Sequence, residues 1–141
     1  AQFLAVETAP PALEPNPAYP FVALTGRTRF HWQTATTTRR CPALNERDPQ
    51  ALAALHPDDM ARLGLADGDW VHISSPDGQI TLQVESSKRV HQGQVFLPMH
   101  FREAGVNRLV GRSVDPRSGT PGFKHLIARI ERVEGASPET D

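Results

Sequence analysis

The chain has 141 residues, a net charge of −1, six histidines and one cysteine. That length suits one domain with a buried core, and the near-zero charge argues against bulk attraction to nucleic acid or an acidic membrane. A single cysteine excludes an internal disulfide and cannot hold an iron–sulfur cluster by itself, and no apolar run reaches the roughly 18 residues of a membrane span.

Taken in order, the chain starts at Ala1 without a Met or a signal-peptide pattern, which reads as a segment of a longer protein. Phe3-Leu4 fits a small strand. Pro10, Pro11, Pro15, Pro17 and Pro20 follow, so residues 1–17 read as a proline-rich connector from a preceding domain. Phe21-Val22-Ala23-Leu24 is an apolar run of strand character. At Thr25-Gly26-Arg27 the character changes. A long polar loop opens, with Thr34, Thr36, Thr37, Thr38, Arg39 and Arg40 along it. Cys41-Pro42-Ala43-Leu44 reads as loop. Ala51 to Leu55 has the composition of a helix, although it is short and lies between Pro49 and Pro57. Residues 57–63 form a predicted helix: Pro57 suits the first turn, Asp58 and Asp59 suit the positive end of the dipole, and Gly64 stops it. Met60 and Leu63 then face the core.

Beyond a turn at Ala66–Asp69, Trp70–Ser74 alternates as a strand, and Pro76-Asp77-Gly78 makes a hairpin turn. Gln79–Glu85 puts Ile80, Leu82 and Val84 on one face. Val95–Pro98 gives another strand. Residues 99–122 are irregular. His125–Val133 alternates again, with Leu126, Ala128 and Ile130 on one side. Residues 135–141 read as a polar tail. The pattern is mainly β with one clear helix, and the strand spacing suggests a small closed barrel. Seven Lys/Arg lie between Arg102 and Arg132 against three acidic residues. Both long loops, 25–47 and 99–123, are therefore basic, and polar chemistry on loops of a β scaffold points to a ligand site.

The segment from Thr25 to Thr34 is the strongest candidate. Gly26 permits close backbone approach. Arg27 supplies a guanidinium fork for phosphate oxygens. His31 and Trp32 supply flat rings, and Thr34 a hydroxyl. Asn107 can pair with a heterocycle edge, and Lys124 can point a charge at an oxygen; a loop-capping Asn and a strand-edge Lys are the plain alternatives. His100 follows a buried strand and could line the same pocket or be a satisfied buried histidine. The six histidines show no metal-ligand spacing, and no nucleophile elbow, P-loop or GxGxxG is present.

Thr25-Gly26-Arg27-x-x-x-His31-Trp32-x-Thr34 resembles the C-terminal cofactor-binding domain of the molybdopterin oxidoreductases, the dimethyl sulfoxide reductase superfamily, in its formate dehydrogenase and nitrate reductase branches. His56-Pro57-x-Asp59-x-Ala61-x-Leu63-Gly64-Leu65-x-Asp67-Gly68-Asp69-x-Val71 extends the likeness. So do Gly93-x-Val95-Phe96-x-Pro98-x-His100-Phe101, Asn107, Asp115-Pro116 and Pro121-x-Phe123-Lys124. The resemblance covers about residues 18–133. It implies a six-stranded double-psi β-barrel, with residues 18–134 as the cofactor-binding unit and 51–55 as a strand instead of a helix. It also implies a bis(molybdopterin guanine dinucleotide) cofactor carrying molybdenum or tungsten. Thr25 to Thr34 would wrap the pterin and diphosphate, and Asn107 and Lys124 would hold the pterin end. Arg27 and His31 would make charge-assisted and ring contacts. The partners implied are the remaining domains or the catalytic subunit, where any iron–sulfur cluster would lie. The chain by itself would not turn over substrate. A cytoplasmic setting is expected, with the periplasm open. The alternative is a stand-alone double-psi barrel used as an interaction module.

Overall fold

The computed structural model describes residues 13–111, 114–115 and 118–133. The expected strand at Phe3-Leu4, Pro10, Pro11, Pro116 and the tail at 135–141 lie outside the described residues. Residues 13–20 carry no helix or strand, in keeping with their prolines.

Six strands close into a barrel. They are β1 (Phe21–Gly26), β2 (Leu52–Leu55), β3 (Trp70–Ser74), β4 (Gln79–Ser86), β5 (Gln94–Pro98) and β6 (Leu126–Arg132), in the spatial order β1-β5-β2-β4-β3-β6. Pairs β1·β5 and β2·β4 are parallel and the other four are antiparallel. The fold is mainly β, a six-stranded double-psi barrel. Closure leaves no free sheet edge.

Alternation builds the core. Phe21 and Ala23 of β1, Val71 and Ile73 of β3, Ile80, Leu82 and Val84 of β4, Val95 and Leu97 of β5, and Leu126, Ala128 and Ile130 of β6 all point inward and are buried. Each fully buried aliphatic side chain contributes roughly 1.5–3 kcal/mol of burial. Residues 51–55 correct the helical reading from composition. Leu52–Leu55 is a strand, paired parallel to β4 and antiparallel to β5, with Ala53, Ala54 and Leu55 buried. Small side chains fit between two neighbours that are themselves crowded, and tertiary packing overrides alanine's helix preference.

Two short helices flank the barrel, α1 (Pro42–Asn45) and α2 (Pro57–Leu63). The first corrects the loop expected at 41–44. Pro42 at its first position has a preset φ, and Asn45 and Glu46 close the turn onto Cys41 and Pro42 carbonyls. A 3₁₀ turn at Thr38–Arg40 precedes it. The second helix is as expected. His56 accepts the Asp58 amide at 3.2 Å, Gly64 adopts φ 66°, and Leu65 N–H reaches the Met60 carbonyl at 2.9 Å, a left-handed close. Met60 is buried and Leu63 packs against the core. No helix among the described residues is long and apolar enough to cross a membrane.

Register decides where the loops go. Gly26 of β1 lies opposite Pro98 of β5 in a parallel pair, so both strands end at the same rim. The first long loop leaves after Gly26 and returns at Leu52, since β2 runs antiparallel to β5. The second leaves after Pro98 and returns at Leu126, since β6 runs antiparallel to β1. The Ser75–Gly78 turn joins β3 and β4 at the same end.

Candidate functional site

The site is a rim at which two loops meet. Thr25, the last inward residue of β1, is buried, and its hydroxyl donates to the Phe123 carbonyl at 2.6 Å. Lys124 Nζ donates to the Thr25 carbonyl, also at 2.6 Å. These two bonds strap the end of the second loop to the start of the first. An ammonium has three donors; one is used here, and Lys124 is exposed.

Two buried histidines shape the first loop. His100 Nε2 accepts the Thr28 amide at 2.6 Å, and its Nδ1 donates to the Gln33 carbonyl at 2.6 Å. That pairing requires the neutral ring with its proton on Nδ1. His31 Nε2 donates to the Asp48 carbonyl at 2.7 Å, and Nδ1 meets the Thr38 hydroxyl at 3.1 Å. Both ring nitrogens of each histidine are therefore taken up by the protein. The two rings and Phe101 form one cluster, with centroids 5.4–6.1 Å apart. Between these pins, Gln33 and Ala35 take φ of 50° and 59°, left-handed values that cost a residue with a Cβ.

The second loop is propped from below. Ser75 Oγ donates to the Leu109 carbonyl at 3.0 Å. Gly78 lies so close to the Arg108 carbonyl that a Cβ there would stand 2.3 Å from its oxygen. Val106–Leu109 forms a 3₁₀ turn with Val106 and Leu109 buried, which leaves Asn107 facing outward.

Two clefts result, and they share no lining residue. The larger, about 710 Å³, is lined by Thr34, Thr36, Met99, His100, Arg102 and Asn107, among others. It offers hydroxyls, a carboxamide and a guanidinium beside an apolar floor. The smaller, about 530 Å³, has Arg27, Thr28, Arg29, Glu85, Arg89 and Phe96 in its walls. Burial, helped by the charges of Asp48 and Asp67, pushes the Glu85 carboxyl above its ordinary value.

The candidates read from the sequence therefore separate. Thr34, His100 and Asn107 line one cleft. Arg27 lines the other, its guanidinium 5.3 Å from the ring of Trp32, which is 65% exposed. Thr25, Gly26 and Lys124 form the junction, and His31 is buried beneath the loop. Thr36, already among the loop hydroxyls noted in the sequence, joins the larger cleft with Met99 and Arg102, and Arg89 joins the smaller. The basic bias of residues 102–132 was the signal for Arg102. Nothing local marked Arg89. Among the described residues, no group of His, Cys, Asp or Glu is arranged to hold a metal ion.

Residues 21–127 match the family model of the molydopterin dinucleotide binding domain. The chain is 37% identical over 119 residues to the F420-dependent formate dehydrogenase subunit alpha of Methanocaldococcus jannaschii, covering 84% of this chain and 18% of that protein. It is 36% identical over 121 residues to the assimilatory nitrate reductase catalytic subunit of Bacillus subtilis, covering 85% of this chain and 17% of that one. Among solved structures, acetylene hydratase from Pelobacter acetylenicus superposes with a TM-score of 0.72 at 18% identity, over 82% of this chain and 19% of that chain; this likeness speaks for the fold. The chain thus spans less than a fifth of the length of these relatives. With a family match that runs from the first residue of β1 into β6, the chain belongs to the molybdopterin dinucleotide-binding domain family.

Proposed function

We propose that this chain is the cofactor-binding unit, over residues 18–134, of a larger molybdenum or tungsten oxidoreductase of the formate dehydrogenase or nitrate reductase type. Its ligand in this reading is bis(molybdopterin guanine dinucleotide). The bound cofactor would supply the metal-centred redox chemistry; iron–sulfur clusters and the catalytic residues would belong to other domains. The observation that carries the reading is the convergence of Thr34, Asn107 and Arg102 on one cleft at the rim where Lys124 is strapped to Thr25.

The donor set fits the group. A pterin presents alternating donors and acceptors along a planar edge, which a carboxamide can match in both directions. Hydroxyls and guanidinium forks suit phosphate oxygens. Asn107 would pair with the pterin edge. Lys124 would offer its spare N–H donors to a pterin or phosphate oxygen. Thr34 and Thr36 would donate hydroxyl hydrogens, and Arg102 a charge-assisted bond. Gly26 keeps the backbone open at the junction, and Arg27 with Trp32 forms the outer flank. His31 and His100 act on the ligand indirectly, by fixing the loop that carries Thr34. Preset donors bind with less ordering cost than mobile ones.

The test is a titration of the chain with pterin–guanine dinucleotide released from a molybdoenzyme, followed by amide chemical shifts. Shifts are expected at Thr34, Thr36, Asn107 and Lys124. Asn107→Ala should weaken binding about tenfold, the loss of one or two ligand hydrogen bonds. Saturable binding that leaves these four residues unmoved, or is indifferent to Asn107→Ala, would overturn the assignment.

A further inference from the structure

The turn between β3 and β4 is built around one hydroxyl. Ser75 is buried. Its backbone N–H donates to the Gly78 carbonyl at 2.8 Å, and its Oγ accepts the Asp77 and Gly78 amides, each at 3.2 Å. The hydroxyl hydrogen remains. It goes to the Leu109 carbonyl at 3.0 Å, in buried surroundings, while the Gly78 carbonyl stands farther off at 3.4 Å. A hydroxyl has one hydrogen and two lone pairs, so the capacity of Ser75 is fully used.

Leu109 ends the 3₁₀ turn that carries Asn107. The last carbonyls of a helical turn have no partner within it, and Ser75 supplies one here. Asn107 is exposed, with Val106 and Leu109 buried to either side. Those two side chains fix which way the turn faces. Its height above the barrel is set by two contacts with the β3–β4 turn. One is the Ser75 bond to Leu109, two residues past Asn107. The other is Gly78, where a Cβ would stand 2.3 Å from the Arg108 carbonyl oxygen. The first contact pulls the turn down, and the second limits how close it comes. Ser75 itself does not line the larger cleft, so it reaches a ligand there only through the turn.

Resting on the ligand reading given above, we propose that Ser75 is a positioning residue for the larger cleft. Its hydroxyl sets the place of the Asn107 carboxamide, and through it the affinity for the planar edge of a bound heterocycle. Hydrogen bonds weaken steeply with poor angle and distance, so a small displacement of the carboxamide is felt by the ligand. A donor held in place also binds with less ordering cost than a mobile one.

The experiment compares Ser75→Ala, Ser75→Thr, Gly78→Ala, Asn107→Ala and the double variant of Ser75→Ala with Asn107→Ala. The Asn107 side-chain amide signals are recorded by NMR in the free chain, and each variant is then titrated with pterin–guanine dinucleotide. Ser75→Ala should shift these signals and weaken binding about threefold, a share of the tenfold expected of Asn107→Ala. Ser75→Thr keeps the hydroxyl, and a void of about 10 Å³ lined by Ser75, Leu109 and Leu126 leaves space beside it; both readings should return to those of the unmodified chain. Gly78→Ala presses on the Arg108 carbonyl and should move the same signals with Ser75 intact. Once Asn107 is alanine, Ser75→Ala should change the affinity no further. A threefold loss that persists in the double variant would overturn the proposal, because Ser75 would then act by loosening the fold at large. Unmoved Asn107 signals in Ser75→Ala would overturn it too, as would Ser75→Thr behaving like Ser75→Ala. Absence of binding by the unmodified chain would strike the ligand reading instead; the hold of Ser75 on Asn107 is still decided by the signals of the free chain.

Discussion

Residues 56–69 and residues 27–50 flank β2 in the chain, and they are held by different means. In the first, the contacts that cap and close the helix and its turn are local. Longer ones, from the Gly93 amide to Asp59 and from Arg132 to Asp69, only tie it to the barrel. His56 caps the amide two residues on, Leu65 closes onto Met60, and Asp69 accepts the Ala66 amide at 2.9 Å. In the second, contacts from far along the chain join internal ones such as His31 to Thr38 and Asp48. His100 reaches back 72 residues to Thr28 and 67 to Gln33, and Arg39 reaches 64 residues forward to Glu103. Local contacts write a structure into neighbouring letters of the sequence. Distant ones write it into the fold. The loop that carries the ligand-facing groups is of the second kind, so its shape depends on the barrel bringing β1 and β5 into register.

The largest expected effect follows from His100. Phenylalanine there keeps the bulk and removes both hydrogen bonds, leaving the Thr28 amide and the Gln33 carbonyl unmatched. His100→Phe should cost about 2 kcal/mol, since both lost bonds are only part-buried and each orphan lies toward the low end of roughly 1–3 kcal/mol. His56→Ala, the loss of a local helix cap, should cost about 1 kcal/mol. Urea midpoints at constant slope measure both, and amide exchange at Thr28 reads whether the loop opens first. Should His56→Ala prove the costlier change, the distant pins are not what hold the loop.

A smaller effect separates the two regions by their left-handed residues. Gly64 uses its freedom at φ 66° to end α2; Gly64→Ala should cost about 1 kcal/mol, the penalty a Cβ meets in that region. Gln33 already bears that penalty at φ 50°. Gln33→Gly should relieve about 1 kcal/mol of it and give back a similar amount through the looser unfolded chain, for a net change near zero. Thermal midpoints of the two variants measure the contrast. A Gln33→Gly loss as large as that of Gly64→Ala would mean that the Gln33 side chain does more than tolerate its backbone.

This contrast explains what could be read in advance. Alternation at 70–74, 79–85 and 125–133 gave inward faces that the barrel uses, because period two is a local signal. Pro57, Asp58, Asp59 and Gly64 marked α2 for the same reason. Ala51 to Leu55 misled because composition reports on an isolated segment, whereas two flanking strands decide its state. The Thr25–Thr34 segment stood out chemically, yet nothing nearby says that His31 and His100 spend their ring nitrogens on Asp48, Thr38, Thr28 and Gln33. Nor does spacing reveal that Thr34 and Arg27 face different clefts. That outcome belongs to the turn of the chain between them.

The smallest effect tests the bond between the two loops themselves. Arg39 meets both oxygens of Glu103 at 2.8 Å and lies over the Phe101 ring at 5.3 Å. Burial alone would raise the Glu103 carboxyl, but the hydrogen bond and charge of Arg39 outweigh it, and the net displacement is downward from 4.5. A carboxyl lowered in the folded state binds its proton less readily there than in the unfolded chain. Its stabilisation is therefore complete above the unfolded value and fades as pH falls through the lower folded one. Glu103 is 55% exposed in its side chain, so solvent screening keeps the pair at about 0.5 kcal/mol or less. Glu103→Gln should accordingly destabilise slightly at pH 7, and the gap from the unmodified chain should close below pH 4.5 and shrink in high salt. Paired unfolding curves across pH 3 to 7 measure this, with those limits set by the ordinary carboxylate range. A gap that stays constant with pH would assign the effect to packing against Phe101. The ion pair would then contribute nothing to holding the two loops in one arrangement.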